Sequence, residues 1–120
     1  MNLLLDTHVL LWWLSAAPTL SEKARNAVSD GRNLVYVSAA SIWEIRIKQK
    51  LGKLKIPDHF FQVFDQQDFG KLAITAEHAY AVGDLPLIHR DPFDRMLIAQ
   101  ARLEKLSLIT HDKIFTKYPV

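Results

Sequence analysis

Four short, continuous apolar runs, separated by stretches of helical character, constrain the fold of this chain more than any other feature. NLLLD (Asn2–Asp6), NLVYVS (Asn33–Ser38), KLAIT (Lys71–Thr75) and LSLITHD (Leu106–Asp112) each read as a strand. They are nearly unbroken rather than alternating, the pattern of strands covered on both faces. The intervening segments read as helices. HVLLWWLSA (His8–Ala16) is apolar; SEKARNAVSD (Ser21–Asp30) opens on a serine cap and stops at Gly31. ASIWEIRIKQK turns Ile42 and Ile45 inward and ends at Gly52. A short helix is expected over Asp58–Gln67 with Phe60, Phe61 and Phe64 on one side, and AEHAYAVGDL ends near Gly83. DPFDRMLIAQARLEK (Asp91–Lys105) is the clearest helix of the chain. Strands alternating with helices imply a three-layer α/β/α sandwich around a central parallel sheet. Right-handed crossovers then bring every strand's C-terminal end to one edge, where open sheets bind ligands.

At 120 residues with 49% hydrophobic and 23% charged side chains, the chain suits one domain spanning 1–120. No cysteine occurs, which excludes disulfides and thiolate metal sites and fits a reducing cytoplasm. The apolar N-terminal run lacks a basic leader and is interrupted by Asp6 and His8, so it reads as neither signal peptide nor membrane span. A soluble, cytoplasmic protein is expected.

Asp6 sits inside the most hydrophobic stretch, LLLDTHVLLWWL, where an unpartnered carboxylate would be costly. The topology offers it company. Asp6 ends the first strand, Glu44 lies early in the helix after the second, Asp94 lies in the first turn of the long helix, and Asp112 follows the fourth strand. All four fall on the same edge. Each has a bland reading alone: Ser41 and Glu44 are spaced as a capping box, Asp91-Pro92 is a helix start, and an acid at Asp94 suits the helix dipole. Together they are harder to dismiss. Two carboxylates ~4 Å apart repel by about 4 kcal/mol at an effective dielectric of 20, so four converging acids call for a cation. All-oxygen ligation points to Mg²⁺ or Mn²⁺, and such a site suits metal-assisted phosphodiester hydrolysis.

Other chemistries lack their signatures. The five histidines (His8, His59, His78, His89, His111) show no zinc spacing, and most are expected at the surface or behind other ligands. There is no glycine-rich phosphate loop and no nucleophile elbow. Trp12, Trp13 and Trp43 are read as core or subunit contacts. The net charge of +2 is mild, but Ile45–Lys55 carries Arg46, Lys48, Lys50, Lys53 and Lys55 with no acid. This stretch is either a solvated helix face or a phosphate-contacting patch, with Arg46, Lys48 and Lys50 the candidates. Arg95, like His89 and Arg90, either contacts phosphate or pairs with a neighbouring acid.

LLLDTHVLLWWL, SAASIWEIRIK, HRDPFDRMLIAQA and LITHD, in this order and with these spacings, resemble the PIN-domain nucleases, and most closely the toxins of VapBC-type toxin–antitoxin pairs. The resemblance spans nearly the whole chain. It implies a PIN fold and a Mg²⁺- or Mn²⁺-dependent ribonuclease site whose catalytic and metal-binding acids fall on Asp6, Glu44, Asp94 and Asp112. Asp91 is an additional acid, either a ligand or a helix cap. Thr7 and Thr110 stand beside two of the acids as hydroxyls that order water. A homodimer and a small cognate antitoxin are implied as partners, with RNA as substrate. Readings from other classes are a PIN scaffold that binds RNA or a partner without cleaving, and a metal-dependent phosphatase or DNA nuclease.

Overall fold

The computed structural model describes residues 1–86, 91–110 and, for the backbone, 113–115. Its five-stranded sheet has the order β3-β2-β1-β4-β5. The strands are β1 (Asn2–Leu5), β2 (Leu34–Ser38), β3 (Gly70–Leu72), β4 (Ser107–Thr110) and β5 (Lys113–Phe115). The first four run parallel, as expected. The fifth is an antiparallel edge strand that the sequence pattern did not suggest.

Strand β1 is central, and its alternation builds both cores. Leu3, Leu4 and Leu5 are all fully buried, each contributing about 1.5–3 kcal/mol by removal from water. Successive residues face opposite sides of the sheet. Leu3 and Leu5 join Val35, Val37 and Ile109 in one layer, with Val9 and Leu10 of α1 (Thr7–Leu14), Ala24 and Val28 of α2 (Glu22–Ser29), Ile45 of α3 (Ala39–Lys50) and Phe64 of α4 (Phe60–Gln66). Leu4 faces the other way, onto Leu108 and onto Leu97, Ile98 and Ala101 of α6 (Pro92–Glu104). These are the three expected layers.

Helix starts follow local chemistry. Ser21 caps α2 by accepting from Ala24 N, and Asp91 caps α6 with Pro92 in the first turn. The third strand is shorter than KLAIT suggests. Thr75 instead caps α5 (Ala76–Ala81), and its side chain forms a reciprocal capping box with His78. That local bond competes with continuing the ladder. His78 is thereby buried. Its Nε2 lies 2.8 Å from Glu104 Oε2, tying α5 to α6.

On α4, Phe64 is buried and Phe60 packs against the core, but Phe61 is 56% exposed. Adjacent helical residues diverge by about 100°, so the three rings do not share one face. Gly70 at the edge of β3 pairs with Tyr36, and the tyrosine ring fills the space a Cβ would need. Among the described residues no helix is long and apolar enough to cross a membrane.

Candidate active site

The strand order reverses between β1 and β4: β2 and β3 follow on one side of β1, and the chain then returns to the other. This is where open α/β sheets form their ligand crevice. Asp6 stands there. It is 7% exposed, its amide donates to Ile109 O of β4 at 3.0 Å, and its Oδ1 accepts from Val9 N at 2.8 Å as the cap of α1. The residue that looked anomalous in an apolar run is at the junction where a buried strand becomes a buried helix.

Glu44 reaches the same edge from the second turn of α3. The capping-box reading of Ser41 and Glu44 does not hold. The cap of α3 is Ser38, the last residue of β2, which accepts from Ala40 N at 3.0 Å. Ser41 and Glu44 are therefore interior to the helix, and both are buried. Glu44 Oε1 accepts from Thr7 Oγ1 at 2.7 Å, and a 3.1 Å contact joins Thr7 Oγ1 to Ser41 Oγ. Glu44 Oε2 accepts from Lys48 Nζ at 2.6 Å. Thr7, expected to order water, thus orients a carboxylate directly.

Asp94 enters from the first turn of α6, with Asp91 one turn earlier as its cap. Asp91 Oδ1 accepts from Phe93 N and Asp94 N. The Asp94 carboxyl is pushed up from its ordinary value, first by burial, then by the charges of Asp91, Glu44 and Asp6, with His8 acting in the opposite sense. Lys48 is shifted up in turn, above all by its bond to Glu44 and further by Asp91 and Asp94. Carboxylates from three separate elements therefore share one electrostatic neighbourhood. Among the described residues, no three His, Asp or Glu side chains are drawn together tightly enough to grip a metal ion. Asp112, with His89, Arg90 and His111, lies outside the described residues; Thr110 closes β4 two positions before Asp112.

The basic candidates do not form one patch. At about 100° per residue, Lys48 shares the Glu44 face of α3, whereas Arg46 and Lys50 lie on the far side. Both are exposed, and Arg46 bonds Gln49 Oε1 at 2.6 Å. Arg95 aims its guanidinium at backbone, donating to the carbonyls of Val82, Leu85 and Pro86. It anchors the 3₁₀ turn after α5 to α6. Trp12 and Trp13 pack against the core, but Trp43 is 59% exposed and meets Phe93 edge-on at 5.3 Å.

The family model for the PIN domain matches residues 3–120. The chain belongs to the PIN-domain family. Two solved structures share its fold. VapBC2 from Rickettsia felis, bound to a DNA fragment from its promoter, aligns with a TM-score of 0.67 at 16% identity, covering 92% of this chain and 86% of that one. A toxin–antitoxin complex from Klebsiella pneumoniae aligns with a TM-score of 0.63 at 21% identity, covering 97% and 92%. No curated protein matches the chain.

What sequence reasoning missed at this PIN-domain site is the role of Lys48. Its signal was present: a glutamate followed four residues later by a lysine is the helical ion-pair spacing.

The raised Asp94 carboxyl, buried and then repelled by its neighbours, has a measurable consequence. A carboxyl whose folded pKa lies above its unfolded value binds more protons when folded, so its ionisation destabilises the fold as pH rises through the folded value. Asp94→Asn should therefore melt above wild type at neutral pH in EDTA. The advantage should vanish as pH falls below the carboxylate range, where wild-type Asp94 is itself neutral. Thermal melts of both proteins from about pH 3.5 to about pH 7.5 check this; parallel curves would show that folding does not raise the Asp94 carboxyl.

Proposed function

We propose that this PIN-domain protein is a metal-dependent endoribonuclease acting as the toxin of a toxin–antitoxin pair. The observation that carries the reading is the gathering of Asp6, Glu44 and Asp94 from three elements at one sheet edge, where burial first and then the charges of Asp91, Glu44 and Asp6 hold the Asp94 carboxyl up. Acids brought from three elements to one sheet edge repel one another, a cost that a bound cation would offset. The donor set fits a hard divalent ion: carboxylate oxygens only, with a cation already seated on one of them. Asp6, Glu44 and Asp94 do not by themselves form a closed ligand group; with Asp112, assigned on the strength of its sequence motif, they are the residues that would hold Mg²⁺ or Mn²⁺. Asp91 serves as the helix cap and adds negative field. When bound, the ion supplies an activated water and neutralises charge developing on the phosphate.

The chain's own residues set the stage for that chemistry. Thr7 fixes one oxygen of Glu44, so the carboxylate presents a defined edge rather than rotating freely. The Asp6 side chain is fixed by Val9 N–H. Arg46 and Lys50 offer exposed positive charge to a polyanion or to an acidic protein segment, on the far side of α3. The two similar structures are toxin–antitoxin assemblies, which supports a small antitoxin as partner; a homodimer and a cytoplasmic location belong to the same reading.

Matched RNA and DNA oligonucleotides and a simple phosphomonoester, each incubated with Mg²⁺ or with EDTA, test it. Internal cleavage of RNA only, and only with the ion, is expected. Cleavage of DNA alone or release of phosphate alone would replace the ribonuclease by another phosphate-transfer enzyme. Tight RNA binding without cleavage would make the protein a scaffold.

A further inference from the structure

Glu44 has both of its carboxylate oxygens occupied. Thr7 Oγ1 holds Oε1 and Lys48 Nζ holds Oε2, at 2.7 and 2.6 Å. The ion pair is not an ordinary surface pair. The Glu44 side chain is 4% exposed, whereas that of Lys48 is 39% exposed, so the lysine reaches inward from the rim of the site. Thr7 stops the carboxylate from turning to offer another oxygen. An ammonium and a divalent ion on one carboxylate oxygen would stand within about 4 Å of each other, where like charges repel strongly even in a polar medium.

We infer that Lys48 is a resident counter-cation of the acidic edge, whose ammonium must leave Glu44 Oε2 before a divalent ion can take that oxygen. This rests on the metal-site reading above. It gives the chain a way to fold with its acids together in the absence of metal, because the lysine offsets part of their repulsion. Its charge also acts on Asp91 and Asp94, and theirs on it. The flexible four-carbon stem and the partial exposure let the ammonium withdraw to water, or to a phosphate oxygen, without disturbing α3. Lys48 is on this account a positioning residue that sets the affinity of the site, acting through Glu44.

Calorimetric titration of Mn²⁺ into wild type, Lys48→Gln, Lys48→Arg and Lys53→Gln tests the inference, with melts of each protein in EDTA. Wild type should bind Mn²⁺. Lys48→Gln should bind it roughly tenfold more tightly and melt lower in EDTA. Lys48→Arg keeps the charge and should stay near wild type; Lys53→Gln, an exposed lysine past the end of α3, should change neither readout. Lys48→Met, which keeps the apolar stem, serves if the glutamine variant does not fold. A second measurement needs no variant. The Lys48 Nζ resonance of ¹⁵N-labelled wild type should be protected from solvent exchange in EDTA and lose that protection on adding Mg²⁺. Unchanged Mn²⁺ affinity in Lys48→Gln, or a protected resonance at saturating Mg²⁺, would overturn the counter-cation role while leaving the metal site standing. Absence of Mn²⁺ binding by every protein would overturn the metal site and this inference with it.

Discussion

Asp6→Asn should abolish most cleavage and leave the fold intact. Asparagine caps helices about as well as aspartate, so Val9 N–H keeps its acceptor and α1 keeps its start. The loss of a charge at a helix N-terminus costs roughly 0.3–1 kcal/mol, and relief of repulsion with Asp94 and its neighbours works against that cost. In EDTA the variant should therefore melt close to wild type or above it. Activity should fall roughly a hundred- to a thousandfold, since a carboxamide is a poor ligand for a hard divalent ion. Asp6→Ala provides the contrast. It loses the cap as well, at about 1 kcal/mol, and should melt lower while being no less inactive. A marked drop in melting temperature for Asp6→Asn, matching that of Asp6→Ala, would mean that the carboxylate's main work is structural. RNA cleavage rates and melts on the three proteins read out both halves of this prediction.

The second large effect is expected at Glu44→Gln. The amide oxygen of glutamine can still accept from Thr7 Oγ1, so the buried hydroxyl is not orphaned. Lys48 loses its anion but, being partly exposed, can turn to water. The net stability change should be small, because the buried hydroxyl keeps an acceptor and the ammonium can reach water. Cleavage should nevertheless fall by roughly a hundredfold or more if the oxygen is a metal ligand. The competing explanation is specific. Thr7, Ser41, Glu44 and Lys48 form a connected polar tie between α1 and α3, and a tie alone would show the reverse signature, a lower melting temperature with turnover preserved. Measuring both on one preparation separates them.

The course of the fold and the site was legible where local chemistry and burial pattern agreed. Asp91-Pro92 announced α6 because capping and proline act within one turn. The leucines of β1 announced a strand buried on both faces because both layers need them. The pattern failed where one residue has two uses. Thr75 looks like the end of a strand but is a cap, so β3 is only Gly70–Leu72. Ser41 and Glu44 carry the spacing of a capping box, but Ser38 ends β2 and takes the cap one turn earlier, freeing Glu44 for the site. The antiparallel β5 is three residues, too short for a periodic signal. The placement of Asp6, Glu44 and Asp94 at one edge was readable from topology alone, because strand ends and helix starts share an edge in a parallel sheet. The basic residues were not. Charge composition in Ile45–Lys55 says nothing about azimuth, and only helical geometry divides Lys48 from Arg46 and Lys50. Arg95 beside Asp94 in sequence read as either a phosphate contact or an ion-pair partner, whereas its guanidinium donates to the carbonyls of Val82, Leu85 and Pro86.

The central claim is that the acidic edge is a divalent-ion site, and electron paramagnetic resonance of Mn²⁺ tests it without recourse to any substrate. Free Mn²⁺ gives a sharp signal that is lost on binding. Titrated into wild type, Mn²⁺ should disappear from solution with saturable stoichiometry, and Mg²⁺ should release it competitively. Titrated into the folded Asp6→Asn/Glu44→Gln double variant, it should remain free over the same range. Equal Mn²⁺ uptake by the two proteins would place any bound ion elsewhere and contradict the account.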